Sequence, residues 1–350
     1  MSTQTITLSE KAFFLPRSKS IYPLFIPFRG CPVRCLFCAQ DRVTGIPRDF
    51  SLTMSLQRML QNLRNKKEQG HAPCELAFYG GTFTALPHSE FEACISSARQ
   101  AYDEGLITGY RCSTRPDALS DERLELLRAS HCTTIELGIQ TFCNESLQRS
   151  LRSYRSHEAS DACERVCRGR FLLGVQLLPG MPHSTPSRFL DDVRQSIALH
   201  ASFLRFYPCL VFAGTGLAAL YEKGDFIPWD LETTITTLAH GYVLAARASV
   251  SVIRMGLLVA KEAENTILAG PRHPALGARV LARALYYTIT SHLPEHARIL
   301  SLSLPYAMQG FFWGDAREMA PYWDRFGLDA KRLTFSSASS ITFTFDDGRA

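Results

Sequence analysis

Six short apolar runs, separated by longer amphipathic stretches, constrain the fold of this chain most strongly. YPLFIPF (22–28), ELAFYGG (75–81), ITGYRCS (107–113), TTIELGIQ (133–140), FLLGVQLLPG (171–180) and FLRFYPCLVF (203–212) read as strands. Between them, MSLQRMLQNLRNKKEQG (54–70), the stretch from Ser89 to Tyr102, SDERLELLRAS (120–130), SHEASDACERVCRGR (156–170) and SRFLDDVRQSIALH (187–200) read as helices, with Ser120 as an N-cap. Such a series makes a parallel sheet with right-handed crossovers. The pattern leaves both an open doubly wound sheet and an incomplete barrel open. Past residue 213 the rhythm breaks. GTGLAALYEKGDFIPWD leads into a long helix over about 231–249, SVIRMGLLV (251–259) reads as a further strand, and the chain from GPRHPALG (270–277) onward reads as an irregular α+β region.

A hydrophobic content of 46% and a charged content of 20% over 350 residues describe a globular chain with a sizeable core. The net charge of +5 permits an anionic substrate or a nucleic acid without demanding either. MSTQTITLSE has no basic stretch followed by an apolar run, and no apolar run is long enough to span a bilayer, so the expected address is the cytoplasm, with no membrane partner. Eleven cysteines without an export signal predict free thiols and metal ligands rather than disulfides.

Three of those cysteines stand in GCPVRCLFCAQ, just after the first strand, at the spacing C-x3-C-x2-C. Crowded into one loop, Cys31, Cys35 and Cys38 are suited to surround one metal centre. A zinc site needs a fourth ligand nearby, and a dithiol made of Cys35 and Cys38 leaves Cys31 unexplained. An iron–sulfur cube normally takes four protein ligands, one per iron, so three leave one iron open to a small molecule.

The spacing, with Phe37 before the last cysteine, resembles the signature of the radical S-adenosylmethionine (SAM) superfamily. Tyr79-Gly80-Gly81-Thr82-Phe83 adds to it, and GGTFTALP resembles the radical SAM lobe of the Elongator catalytic subunit and its bacterial relatives. The resemblance implies a partial (β/α)6 barrel with a small C-terminal α+β extension. It implies a [4Fe-4S] cluster on Cys31, Cys35 and Cys38, with the fourth iron chelating SAM. The same resemblance assigns the strand ends to SAM. Gly80, Gly81 and Thr82 receive its amino group. Ser113 and Arg115 come from CSTRPDAL (112–119), Gln140 from IELGIQTF (135–142), and Gln176, toward the ribose, from GVQLLPGMP (174–182). Tyr207 and Val211, in FYPCLVFAGTGLA (206–218), border adenine. Arg152 sits where relatives carry Gly-Arg-Gly against the SAM carboxylate, with Leu151 and Ser153 here in place of the glycines. GLLVAKEAENTILAGPRHPALGARV extends the likeness to about residue 285. The implied division is an N-terminal segment (1–20), a radical SAM core (21–260) and an associated C-terminal region (261–350).

Beyond about residue 300 the family's lysine-rich stretch is replaced by QGFFWGDAREMAPYW. The Elongator subunit carries an acetyltransferase domain after its radical SAM lobe; none is expected here, so acetyl chemistry on transfer RNA is not carried over whole. What the resemblance does imply is SAM cleavage, a 5′-deoxyadenosyl radical, hydrogen abstraction from a small-molecule or RNA substrate, and a flavodoxin- or ferredoxin-type reductant. Two other readings stand beside it, a coproporphyrinogen oxidase-like or heme-handling protein and a non-catalytic RNA-binding or scaffold module. The eight remaining cysteines are expected as buried small hydrophobes, with Cys163 and Cys167 one helical turn apart. His273 is expected in a turn, and Trp229, Trp313 and Trp323 in a core. Arg17 and Lys19 make a short basic patch.

Overall fold

The structure, a computed structural model, describes residues 3–9, 13, 20–47, 49–257 and 259–347; Arg17 and Lys19 lie outside the described residues. It divides into a larger unit, Arg17–Trp229 with Leu257–Pro271, and a smaller one, Met1–Pro16 with Asp230–Gly256 and Arg272–Ala350. In chain order, β1 (Thr3–Leu8) belongs to the smaller unit. The larger unit then runs β2 (Ile21–Phe25), α1 (Gln40–Thr44), α2 (Leu52–Glu68), β3 (Cys74–Tyr79), α3 (His88–Asp103), β4 (Ile107–Thr114), α4 (Asp121–Ala129), β5 (Cys132–Gln140) and α5 (Asn144–Arg149). It continues through α6 (Ser156–Arg168), β6 (Leu172–Leu177), α7 (Pro186–Ala198), β7 (Phe203–Phe206), β8 (Val211–Phe212) and α8 (Gly216–Glu222). Then α9 (Leu231–Arg247) and β9 (Ser251–Met255) fall in the smaller unit, and β10 (Ile267–Ala269) returns to the larger. The smaller unit ends with α10 (Leu276–Thr290), β11 (Arg298–Pro305), α11 (Ala320–Asp324), β12 (Leu333–Ser336) and β13 (Ile341–Asp346).

Strands β2 to β7 pair in parallel in strict sequence order. Right-handed crossovers with no reversal of order put every connecting helix on one face, and such a sheet curls toward a barrel. The side chains agree. Leu76, Phe78, Tyr110, Cys112, Ile135, Leu137, Leu173, Val175, Leu204 and Phe206 are buried beneath the helices. They alternate with Tyr79, Arg111, Ser113, Glu136, Gln176 and Arg205. Strands covered by helices on both faces are apolar throughout; here the second face is polar. The fold is therefore the partial barrel, and the doubly wound sheet is excluded.

Local chemistry explains the elements. α2 buries Leu52, Leu56, Met59 and Leu63 along one stripe, and the Ser51 hydroxyl accepts from Met54 N at its start. Ser120 caps α4 as predicted, accepting from Arg123 N at 3.1 Å. The run FLRFYPCLVF makes two strands rather than one: Pro208 has no amide to donate, and β8 pairs antiparallel with β10 instead.

In the smaller unit, α9 and α10 accompany a four-stranded sheet in the order β1-β13-β11-β12. The N-terminal segment, to which the sequence reading gave no element, supplies β1, whose Thr5 and Thr7 hydroxyls meet those of Thr344 and Thr342 at 3.0 and 3.2 Å. Ile341, Phe343 and Phe345 alternate into the core beneath. Trp323 is a core residue stacked on Phe312, as expected. Trp313 is half-buried under the Arg317 guanidinium, and in the larger unit Trp229 is half-buried beside Gly180; neither is a core residue. His273 is a turn residue whose Nδ1 accepts from Ala275 N at 3.1 Å. Cys74, Cys94, Cys112, Cys132, Cys163 and Cys209 are buried, and Cys143 and Cys167 are half-buried.

One buried acid pins the loop that leaves β5. Asp192 on α7 accepts from Phe142 N at 2.8 Å, and burial pushes its carboxyl up to about 7 against the pull of that amide. An aspartate raised from its ordinary value near 4 favours the folded state below about pH 4 and loses that contribution as pH climbs toward about 7. Asp192→Asn keeps an acceptor and cannot ionise. Its melting temperature relative to the parent is expected to rise by a few degrees between pH 5 and pH 8, measured by calorimetry. A constant difference across that window would contradict the assignment.

Candidate functional site

The C-terminal ends of the parallel strands carry the site. After β2 the chain turns through Phe28 and Gly30, both at positive φ, into the loop bearing Cys31, Cys35 and Cys38. This loop is sealed to the turn after β3. Ile26 N donates to Tyr79 O at 2.7 Å, and Thr82 N donates to Arg29 O at 2.8 Å. The Gln40 carboxamide oxygen accepts from Phe28 N at 2.7 Å and Gly81 N at 2.9 Å, tying α1 to both. The approach leaves no room for a side chain at Gly81: at φ +61° a Cβ would stand 2.3 Å from Arg29 O and 2.7 Å from Ile26 O. Gly80 is less tightly enclosed, its nearest neighbours being Ile26 backbone atoms at 3.4 Å. The glycine pair therefore serves loop-to-loop packing as well as any ligand.

The predicted site residues gather unevenly. Thr82 is buried, with its hydroxyl 3.2 Å from Cys31 Sγ. Arg152 Nη1 lies 3.3 Å and Arg115 Nη1 3.9 Å from Cys35 Sγ. Arg115 is held by Asp117 through two bonds of 2.9 and 2.7 Å and by the Ser153 hydroxyl. Gln140 adopts φ +68° and its side chain folds back over Gly138. Gln176 Nε2 donates to the Ser113 hydroxyl at 3.0 Å, so these two meet one another. Tyr207 accepts from Arg205 Nη1 at 3.1 Å through its hydroxyl. Val211 is buried with Met181, Cys209, Leu217 and Phe226, and Phe37 of the cysteine loop packs on the same cluster.

Below these residues lies a network that sequence reading missed. Glu136 is fully buried at the centre of the polar face. Its carboxylate accepts from Arg111 Nη1 at 3.1 Å, Gln176 Nε2 at 2.9 Å, Arg205 Nη2 at 3.1 Å and the Tyr79 hydroxyl at 3.1 Å. Arg111 also donates to Glu75 at 2.5 Å. Burial and the neighbouring carboxylate hold the Tyr79 phenol well above its usual range, so it stays a donor. Gly174 makes room for the network, since a Cβ there would meet the Phe203 ring and Glu136 Cγ. The available signal was charged residues at alternate positions in otherwise apolar strands. Gln40 was also missed, and nothing local to its position marks it.

Three thiols on one loop fit an iron–sulfur cluster. Among the described residues no three His, Cys, Asp or Glu side chains converge as the ligands of a single ion would. A cube spreads its corner ligands apart and takes one thiolate per iron. Burial pushes the Cys38 thiol up to about 12, with the Cys35 and Cys31 sulfurs acting in the same direction. Burial also raises Cys31, opposed by the Thr82 hydroxyl. Thiols of this kind become thiolates when a metal replaces the proton. Gly81→Ala is expected to abolish most iron and sulfide uptake on anaerobic reconstitution, while Gly80→Ala retains most of it. Equal retention by both variants, measured by iron and sulfide assay, would contradict the packing argument.

The chain matches the model of the radical SAM superfamily over residues 25–195 and that of the radical SAM C-terminal domain over residues 201–285. It is 24% identical over 248 residues to the "tRNA uridine(34) acetyltransferase" of Methanocaldococcus infernus, covering 60% of this chain and 46% of that protein. An uncharacterised protein of Methanocaldococcus jannaschii is 26% identical over 252 residues, covering 67% of this chain and 76% of its own length. Among solved structures, the archaeal Methanocaldococcus infernus Elp3 with an N-terminal deletion superposes with a TM-score of 0.57 at 18% identity, covering 80% of this chain and 70% of that one, which shows a shared fold. The chain thus spans under half of the named acetyltransferase and about three quarters of the uncharacterised relative. On the two family matches together, the chain belongs to the radical SAM superfamily and is Elongator-like within it.

Proposed function

We propose that this chain is a SAM-cleaving radical enzyme acting in RNA modification, with Cys31, Cys35 and Cys38 as the cluster ligands and the surrounding strand ends as the SAM site. The superfamily's cofactors are a [4Fe-4S] cluster and SAM. When bound and reduced, they supply a 5′-deoxyadenosyl radical, with methionine as the other product. The observation that carries the reading is the sealed loop: three thiols on one loop, beside the Gly81-Thr82 turn and at the C-terminal ends of the parallel strands.

The chain's own residues have separable roles in this proposal. Gly80, Gly81 and Thr82 present backbone and hydroxyl groups toward the amino end of SAM. Arg115 and Arg152 supply positive charge beside Cys35. Gln140, Ser113 and Gln176 provide polar contacts around the sugar, and Tyr207 and the Val211 cluster border the base. The apolar cluster of Met181, Cys209, Val211 and Phe226 keeps water from that side. Glu136, Arg205 and Tyr79 line the interior where a polar substrate approaches. An RNA nucleoside is the substrate class favoured by the similarity to a tRNA uridine(34) acetyltransferase. A one-electron donor of the flavodoxin or ferredoxin type serves as partner.

Anaerobically reconstituted protein, reduced with dithionite and given SAM, is expected to release 5′-deoxyadenosine and methionine in equal amounts, and bulk transfer RNA should accelerate release. Cys35→Ser should reduce product at least a hundredfold. A loaded parent protein that gives no 5′-deoxyadenosine would overturn the proposed activity. Acceleration by a porphyrin in place of transfer RNA would overturn the substrate class alone.

A further inference from the structure

The guanidinium of Arg152 is held in an unusual electrostatic position. It is 8% exposed, and among the described residues no carboxylate lies within ion-pair distance of it. Its neighbour Arg115 is paired directly with Asp117, whose carboxylate acts on Arg152 only from beyond ion-pair distance. Arg152 Nε donates to the Tyr154 hydroxyl at 3.0 Å, and Nη2 donates to the same hydroxyl at 2.7 Å and to Gly138 O at 2.5 Å. The buried Tyr154 hydroxyl in turn donates to Ile139 O at 2.7 Å. Nη1 is the nitrogen left over, and it points at Cys35 Sγ from 3.3 Å.

The backbone fixes this aim. After α5, Arg152 N donates to Leu147 O at 2.9 Å while Leu151 takes φ +57°, a left-handed helix ending that glycine ordinarily occupies. Leu151 pays the steric cost there with its side chain exposed, and the turn delivers Arg152 inward.

A buried cation without a carboxylate is costly unless another anion balances it. Among the described residues, the Cys35 sulfur is the one hydrogen-bond partner of Arg152 that can become an anion beside it. Resting on the cluster assignment above, we propose that Arg152 is a positioning residue for the Cys35 thiolate and makes the cluster easier to reduce. Reduction adds one electron from the external donor, with no bond made or broken, and so places one more negative charge beside a fixed positive one. Net charge and hydrogen bonds to the ligating sulfurs are what set the potential of such clusters. This role differs from contact with the SAM carboxylate, because it operates with no SAM present.

The test is spectroelectrochemical titration of reconstituted protein without SAM, with iron and sulfide content measured in parallel. Arg152→Met is expected to lower the equilibrium constant for one-electron reduction about tenfold, which is about 59 mV for a one-electron couple; Arg152→Lys should recover part of the loss. An unchanged potential at full iron content would overturn the proposal, and would do so even if SAM affinity fell. Should Arg152→Met take up no iron, Tyr154→Phe decides instead: it removes the hydroxyl that holds the guanidinium, and a smaller drop supports the role while no drop overturns it. Failure of the parent protein to bind iron would count against the cluster assignment itself, a separate outcome from these.

Discussion

The close approach of two loops organises everything else at this site. The cysteine loop is anchored on one side by Leu36, whose backbone bonds Ser150 and Leu217, and by Leu36 and Phe37 packing on the Val211 cluster. On the other side it is sealed to the turn after β3, through backbone hydrogen bonds at Ile26–Tyr79 and Thr82–Arg29 and through Gln40, which accepts from both loops. Each of these bonds is worth only about 1 kcal/mol net. Together they bring backbone so close that position 81 must lack a side chain. Rigidity of this kind matters because a cluster with one unligated iron has only three protein attachments to orient it.

The barrel supplies the second constraint. A sheet with helices on one face has a second face free to be polar, and this chain fills it with charge. Glu136 sits between Arg111 and Arg205, and Arg111 reaches on to Glu75, so acids and bases alternate along the interior. The desolvation of these ionised groups is tolerable only because Glu136 has donors from four side chains and Glu75 is paired with Arg111. Removing one member while leaving the rest would strand a buried charge, which makes the network a fixed floor beneath the candidate site.

Much of this was legible in the sequence, and the parts that were not have physical reasons. The βα alternation marked the strands and their parallel crossovers, because period and turn residues report local structure directly. The choice between an open sheet and a barrel was not legible, because Glu136, Arg111 and Arg205 among Leu and Val look like noise until neighbouring strands are set in register. The cysteine triad was read from spacing alone. Gln40 was invisible because its partners, Phe28 and Gly81, come together only after the chain folds. Leu151 and Ser153 stand where relatives carry glycines, and the sequence alone does not say how the turn is kept. The structure shows Leu151 adopting the left-handed conformation anyway and Ser153 joining Arg115 and Asp117. Strand β1 escaped notice since its partner, β13, lies at the opposite end of the chain.

The central claim is that three cysteines leave one iron for SAM. Pulsed electron–nuclear double resonance on the reduced, reconstituted protein tests it most directly, using SAM labelled with 15N at its amino group and 13C at its carboxylate. The account predicts hyperfine coupling of both labels to the cluster, lost on addition of unlabelled SAM in excess. Bound SAM with neither label coupled would contradict it.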